Sequence, residues 1–151
     1  MKKLLMVFVF VCLSWGLADG SSTVEVVTSD LEKAQALVDK EDFQGAAHFL
    51  KLLLARESDN ADYHNLMGFS LRRMDDFEGS LEHYFMALEI DPQHLGANEY
   101  LGELYLKLND LENAEVQLGA LASFGCEAGC EQFDMLEAAI DTYQKTGSVD
   151  W

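Results

Sequence analysis

The sequence Asp-Phe-Gln-Gly-Ala at residues 42–46 decides the fold, because it returns twice along the chain at a constant interval. It recurs as Asp-Phe-Glu-Gly-Ser at residues 76–80 and as Asp-Leu-Glu-Asn-Ala at residues 110–114, a period of 34 residues. Met67-Gly68 and Leu101-Gly102 are separated by the same interval. A fixed period of this length is typical of stacked units that bury their apolar faces against one another. The sequence therefore predicts a repeat array.

Composition predicts that the array is all-α. The chain has 151 residues, of which 49% are hydrophobic, so it is large and apolar enough to form a core. Pro92 is its single proline, which suits helices because proline breaks their interiors. We predict six helices, at about residues 30–39, 43–56, 61–73, 77–88, 95–108 and 111–123. Side chains at the breaks are expected to cap them, namely Ser29 with Glu32, and Asp42, Asn60, Asp76, Asp91 and Asp110.

A further helix is predicted over about residues 131–145, in a capping segment that spans 129–145. Its apolar residues share one face, because they lie at helical spacing: Phe133, Leu136, Ile140 and Tyr143. An open array needs a terminal element with one apolar face and one polar face, so this helix is expected to close the stack. Residues 146–151 are expected to form a tail.

Residues 1–18 have the features of a secretory signal. Two lysines precede an apolar run, and Gly16 and Ala18 have the spacing that signal peptidase requires. We expect cleavage after Ala18 and an exported protein, either secreted or periplasmic in a Gram-negative bacterium. The alternative is a transmembrane anchor, but the apolar run over residues 4–17 is shorter than the ~18–20 residues that span a bilayer.

The charge of the chain excludes some classes of partner. The net charge is −17, and removal of residues 1–18 leaves 8 basic and 27 acidic residues, a charge of −19. So acidic a surface repels nucleic acid and anionic membranes. The charge serves solubility alone, or it favours basic partners or cations. The polar residues 19–28 are expected to be a flexible leader.

Large, small and aromatic residues hold corresponding places in the three predicted units, at about residues 27–60, 61–94 and 95–128, within a repeat region of 29–126. In the middle unit they are His64, Met67, Gly68, Leu71, Ser80, Tyr84, Ala87 and Pro92. In the third they are Asn98, Leu101, Gly102, Tyr105, Ala114 and Leu118. The pattern resembles the tetratricopeptide repeat, a 34-residue helix–turn–helix unit. Residues 65–72 and 99–106 also look like those of small exported bacterial tetratricopeptide proteins.

The resemblance implies an all-α, right-handed solenoid of three tetratricopeptide units with a C-terminal capping helix. It also implies that the first helix of each unit lines an inner, concave face that binds a peptide or protein without catalysis or a cofactor. The residues predicted to bind the partner are Asn65, Phe69, Arg72, Arg73, Glu99, Tyr100, Glu103 and Lys107. Phe69 and Tyr100 would be apolar anchors, with Asn65 and the arginines as polar contacts.

The two adjacent arginines have two interpretations. Arg72 and Arg73 can bind a carboxylate of the partner, because the guanidinium fork matches a carboxylate with two hydrogen bonds. Alternatively, they pair with acids of the same chain, such as Glu103 or Asp76.

Cys126 and Cys130 follow the last repeat, and three interpretations of them remain open. An exported protein meets oxidising conditions, so a disulfide that sets the angle of the capping helix is one. A redox-active pair is the second, although such pairs usually enclose two residues rather than three. A copper site is the third, although it needs a further ligand.

The predicted function is therefore an adaptor or assembly factor of the periplasm or cell exterior, and the alternative is a thiol-redox or copper-handling protein. No motif of an enzyme is present, so we expect no catalytic residue and no metal ligand. Self-association is a third possibility. The histidines show no metal-ligand spacing: His64 fits a packing position, and the others are predicted to lie at the surface.

Overall fold

The structure, a computed structural model, describes residues 29–127 and 129–149, and this part of the chain is all-α. The predicted signal and leader lie outside the described residues. Seven helices are present within them: α1 (Asp30–Val38), α2 (Phe43–Leu54), α3 (Ala61–Arg73), α4 (Phe77–Ile90), α5 (Leu95–Lys107), α6 (Leu111–Ser123) and α7 (Glu131–Thr146). Among the described residues, no helix has both the length and the hydropathy required to cross a bilayer.

The two helices of each pair are joined by the same tight turn, which explains the 34-residue period. The residue before each recurring aspartate has a positive φ: 59° at Glu41, 62° at Asp75 and 62° at Asn109. This left-handed backbone allows the Asp42 N–H to donate to the Leu37 carbonyl oxygen over 2.9 Å, and the other two turns repeat that bond. The pattern terminates a helix and reverses the chain.

The recurring aspartate then begins the next helix. The side chains of Asp42, Asp76 and Asp110 accept the N–H three residues ahead, at N···O distances of 2.9, 3.1 and 3.2 Å. These bonds satisfy amides that lack a partner inside the helix. The predicted caps at these sites are therefore confirmed, as is the Ser29–Glu32 capping box at α1.

One predicted cap is wrong. At α5 the cap is His94, whose Nδ1 accepts the Ala97 N–H over 3.0 Å, rather than Asp91. Because Nδ1 carries a lone pair, the proton of the neutral ring lies on Nε2, which donates to Asp62 Oδ1 over 3.1 Å. A histidine can thus cap one helix and connect it to the preceding unit.

The helices pack as three antiparallel pairs in sequence, with α3 and α5 at the centre. The middle helix α3 contacts α1, α2, α4 and α5, while α5 contacts α4, α6 and α7. The core consists of three buried clusters centred on Leu50, Tyr84 and Leu121. The small residue that follows each turn, Ala46, Ser80 or Ala114, is fully buried.

Close approach of helices requires glycine at two positions. A Cβ added at Gly68 would lie 2.7 Å from the Tyr84 ring of α4, and Ser80 Oγ donates to the Gly68 carbonyl oxygen over 2.7 Å. A Cβ added at Gly102 would lie 2.5 Å from Leu136 of α7. Gly68 therefore allows close packing of α4, the second helix of its own unit, whereas Gly102 allows close packing of the capping helix α7.

Helix α7 closes the stack as predicted. Leu136 and Ile140 are buried, and Phe133 and Tyr143 pack around them against α5 and α6. After the left-handed Gly147, the chain buries Val149 in the same cluster.

Cys126 and Cys130 form a disulfide, with their Cα atoms 5.2 Å apart. Cys126 is buried and Cys130 directly precedes α7, so the bridge connects the end of the repeats to the capping helix. This agrees with the first of the three interpretations. While they are bridged, the two sulfurs cannot bind copper as thiolates.

Gly68→Ala is predicted to destabilise the protein by ~1–3 kcal/mol, because the added methyl group overpacks the contact with Tyr84. Gly119→Ala is the matched control, since it lies inside α6 with no atom near the added carbon. That variant should stabilise the protein by ~0.5–1 kcal/mol through helix propensity. Urea denaturation measures both changes, and equal effects at the two positions would contradict the close approach.

Candidate functional site

The candidate site is the first-helix face, which is formed by α1, α3 and α5 and carries every predicted partner-binding residue. Successive contacts of α1 with α3 and of α3 with α5 make this face continuous. It contains buried ionic groups, half-buried aromatic rings and a cleft.

Arg72 and Glu103 form an ion pair across the interface of the second and third units. Arg72 Nη1 donates to Glu103 Oε2 over 2.5 Å, and Arg72 is only 4% exposed. The guanidinium carbon also lies 5.3 Å from the ring centres of both Phe69 and Tyr100. Of the two interpretations of Arg72, the structure therefore agrees with the second, in which Arg72 pairs with Glu103 of the same chain. Removing either partner would leave a buried charge, which typically costs ~3–5 kcal/mol.

The half-buried aromatic residues Phe69 and Tyr100 form the centre of the face. Their ring centres are 5.1 Å apart, and Phe69 contacts Phe43 edge to face at 6.2 Å. The Arg73 guanidinium lies 4.5 Å from the Phe43 ring centre and 5.8 Å from that of Phe69. Each of the two adjacent arginines thus contacts two rings, Arg73 those of Phe43 and Phe69, which limits the side-chain freedom lost on binding.

Asn65 and Glu99 place polar oxygens beneath this face. Asn65 is 8% exposed and Glu99 2% exposed, and neither Asn65 Oδ1 nor Glu99 Oε1 has a hydrogen-bond partner among the described residues. Burial, together with the neighbouring Glu103 carboxylate, raises the pKa of Glu99 to about 8. At neutral pH Glu99 is therefore mostly a neutral acid that can donate one hydrogen bond and accept others.

Lys107 is the one exposed residue among those predicted for the site. It ends α5, where a cation is favourable because the helix dipole is negative there. Its position is compatible both with a structural role at the helix end and with contact to a partner.

A cleft opens between α1 and α3 on the first-helix face. It has a volume of about 250 Å³ and is lined by Leu31, Glu32, Gln35, Asp62, Asn65 and Leu66. We call it the inner cleft. It brings predicted Asn65 together with residues of the first unit that the sequence had not assigned to the site.

A larger depression, the outer groove, lies between the second helices α2 and α4 and was not predicted. Its volume is about 720 Å³, and the surface that lines it is mainly apolar. Histidines and charged residues also line it: His48, Lys51, Asp59, His64, His83 and Glu89. Residues of α3 that form its floor, including Met67, lie on a different face from Asn65. The sequence missed it because α2 and α4 are never adjacent in the chain.

Two histidines meet in the outer groove. His64 Nε2 donates to the Ser58 carbonyl oxygen over 3.0 Å, so its Nδ1 must accept the Nδ1–H of His83 over 2.9 Å. Burial lowers the pKa of His83, and the neighbouring His64 lowers it further, so the neutral form of His83 is favoured. His64 packs as predicted, but His83 is half-buried and not a surface residue.

Solved structures of similar fold are helical-repeat chaperones and related proteins. The type III secretion translocator chaperone SycD of Yersinia enterocolitica matches with 12% identity and a TM-score of 0.65, over 78% of this chain and 84% of that one. PcrH, solved in complex with the chaperone-binding region of PopD, matches with 15% identity and a TM-score of 0.67, over 79% and 91%. The fold is therefore a tetratricopeptide-like helical solenoid.

More distant in shape is MamA from Desulfovibrio magneticus RS-1, with 18% identity and a TM-score of 0.58, over 78% of this chain and 70% of that one. No family model matches the sequence, and no curated protein matches it. At these identities the similarity concerns the fold alone, and the site must be argued from this chain's own residues.

Glu99→Gln is predicted to stabilise the protein more as the pH rises. The pKa of Glu99 is about 8 in the fold against an ordinary value of 4.5, so between these values the folded state binds more protons than the unfolded state. The contribution of the neutral acid to the free energy of unfolding is therefore fully present below pH 4.5, and it is lost as the pH rises through about 8. Glutamine stays neutral throughout.

Urea denaturation at about pH 5 and about pH 9 measures this effect, with an expected gain over wild type that grows by ~1 kcal/mol or more. Glu112→Gln, an exposed residue of α6, is the control and should show no such trend. A gain for Glu99→Gln that is independent of pH would contradict a buried, neutral Glu99.

Proposed function

We propose that this protein is a non-catalytic module that binds a peptide or protein segment along the first-helix face, as an adaptor or assembly factor. The observation that supports this most is the pair of buried acceptors, Asn65 Oδ1 and Glu99 Oε1, which lack partners among the described residues. A buried acceptor without a hydrogen bond costs ~1–3 kcal/mol. An extended peptide carries N–H donors at regular intervals, and a side-chain movement that exposes these oxygens would allow such a donor to offset that cost.

Apolar side chains of the partner would contact Phe69 and Tyr100. These rings are half-buried, and Arg72 and Arg73 hold them in place from within the protein. Aromatic anchors with little side-chain freedom to lose contribute strongly to interfaces. Arg72 then acts by positioning the rings, and Arg73 and Asn65 supply the polar contacts.

The solved structures favour a binding role over an enzymatic one. SycD is named as a translocator chaperone, and PcrH was solved with the chaperone-binding region of its partner PopD. These names concern those proteins, and the identity of the partner of this chain does not follow from them.

We also propose that the protein is exported, to the periplasm or the cell exterior. The support is the basic start, the apolar run and the small residues at Gly16 and Ala18, together with a disulfide that an oxidising compartment would maintain.

The binding face can be tested by photo-crosslinking in the native cell. A photoreactive amino acid in place of Gln35, which is exposed beside the inner cleft, should capture a discrete partner. The same amino acid in place of Glu112, exposed on α6, is the matched control and should not. Equal capture at the two positions, or none at Gln35, would refute binding at the first-helix face.

Phe69→Ala should reduce capture from the Gln35 position about tenfold, because an aromatic anchor typically contributes ~1–2 kcal/mol or more. A circular dichroism melt of the same variant separates loss of contact from loss of fold. Unchanged capture with an intact fold would remove Phe69 from the binding face.

Export predicts a processed protein. Intact mass measured on the native protein should correspond to a chain that begins at Asp19 and carries one disulfide, and reduction should add two hydrogens. Recovery with residues 1–18 attached would contradict cleavage after Ala18.

A further inference from the structure

The inner cleft has a lining that is selective for one kind of chemical group. Four of its six lining residues carry side-chain oxygens: Glu32, Gln35, Asp62 and Asn65. The remaining two, Leu31 and Leu66, are apolar, and no cationic side chain lines the cleft. Oxygens alone do not define a site. What the cleft can bind depends on which of these oxygens already accept a hydrogen bond from the protein.

Asn65 provides the decisive acceptor. It is more than nine-tenths buried, and its Oδ1 accepts no hydrogen bond from the described residues. An oxygen in this state is missing a donor, because buried polar atoms in folded proteins are almost always paired.

The two carboxylates at the cleft each retain one oxygen for a ligand. Asp62 Oδ1 accepts from His94, and Asp62 Oδ2 has no hydrogen-bond partner among the described residues. Glu32 Oε2 accepts the Ser29 N–H over 2.6 Å, and Glu32 Oε1 has no hydrogen-bond partner among the described residues.

Gln35 completes the set of acceptors. Its Nε2 donates to Asp39 Oδ1 over 2.8 Å, so this bond fixes the amide group and leaves the carbonyl oxygen for a donor. The polar groups of the cleft can therefore bind a donor-rich cation, whereas an anion would meet only lone pairs and negative charge.

The size of the cleft limits the ligand to one side chain. Its volume of about 250 Å³ is below the ~300–1,000 Å³ of small-molecule and cofactor sites. Leu31 and Leu66 offer apolar walls for a methylene stem, which long cationic side chains bury while their charged end is hydrogen-bonded. A primary ammonium group has three donors to distribute among separate oxygens.

We propose that the inner cleft binds a primary ammonium group, the lysine side chain of the partner segment, with its stem on Leu31 and Leu66 and its nitrogen among Asn65, Asp62 and Glu32. This inference rests on the proposed function and specifies its ligand: the partner segment carries a lysine at the place that meets α1 and α3. The strongly negative charge of the chain attracts such a segment at a distance.

The test uses three small probes titrated onto the full-length, isotope-labelled protein and followed by NMR. Nα-acetyl-lysine methylamide carries only the side-chain ammonium. Nα-acetyl-norleucine methylamide has a similar stem without charge, and norleucine methylamide carries only the α-ammonium. Saturable shifts of the Asn65 side-chain amide and of the α1 backbone are expected for the lysine probe, with about tenfold weaker binding of the uncharged probe.

Two charge-matched variants separate the cleft from general attraction to an acidic surface. Asp62→Asn and Glu112→Gln each remove one negative charge from an exposed residue, but only Asp62 lines the cleft. Asp62→Asn should weaken binding of the lysine probe about two- to fivefold, and Glu112→Gln should leave it unchanged.

Three results would overturn the assignment: equal binding of the lysine and uncharged probes, preference for the α-ammonium probe, or equal effects of the two variants. These outcomes are distinct from failure of the proposed function. Capture at Gln35 together with any of them would retain peptide binding and reject the lysine site, whereas absence of capture at Gln35 would reject peptide binding on this face.

Discussion

The structure depends on one turn, made three times, in which a residue with left-handed backbone precedes an aspartate. An L-residue pays about 1–2 kcal/mol for that backbone, so the turn persists only because hydrogen bonds compensate it on both sides. The amide of Asp42 terminates α1 and its carboxylate begins α2. Since the same residue performs both tasks, each turn couples the end of one helix to the start of the next, and the three turns repeat this arrangement.

Uniform units still give a face with two different chemical regions. Between the second and third units, Arg72 and Glu103 neutralise each other beneath Phe69 and Tyr100, which yields a rigid aromatic surface. Between the first and second units, no such pair is present among the described residues, and the inner cleft retains unsatisfied oxygens. One face thus combines an apolar anchor region with a region suited to a cation. A segment that carries both an apolar residue and a lysine would match both regions.

Local rules were enough to predict the helices. Each predicted boundary lies within two residues of the observed one, because caps and breaks are set by hydrogen bonds between residues three or four apart. The apolar stripe of α7 was predicted for the same reason. His94 was missed as a cap because histidine is not among the usual capping residues. Its Nδ1 accepts the Ala97 N–H, and its Nε2 contacts Asp62 of the preceding unit, a contact between units that the local sequence does not reveal.

The site was predicted less completely than the fold. The spacing of Asn65, Phe69 and Arg72 in the sequence puts them on one side of a helix, but spacing cannot say which of them a neighbouring helix covers. Arg72 became buried because Glu103, 31 residues away, reaches it.

The outer groove likewise forms between α2 and α4, which both contact α3 but do not contact each other, and His64 of α3 meets His83 of α4 there. The sequence by itself determined the repeat, the turns and the identity of the first-helix face. Only the tertiary structure decided which polar atoms on that face are paired and which still await a donor, because pairing depends on distances between units and no local pattern encodes them.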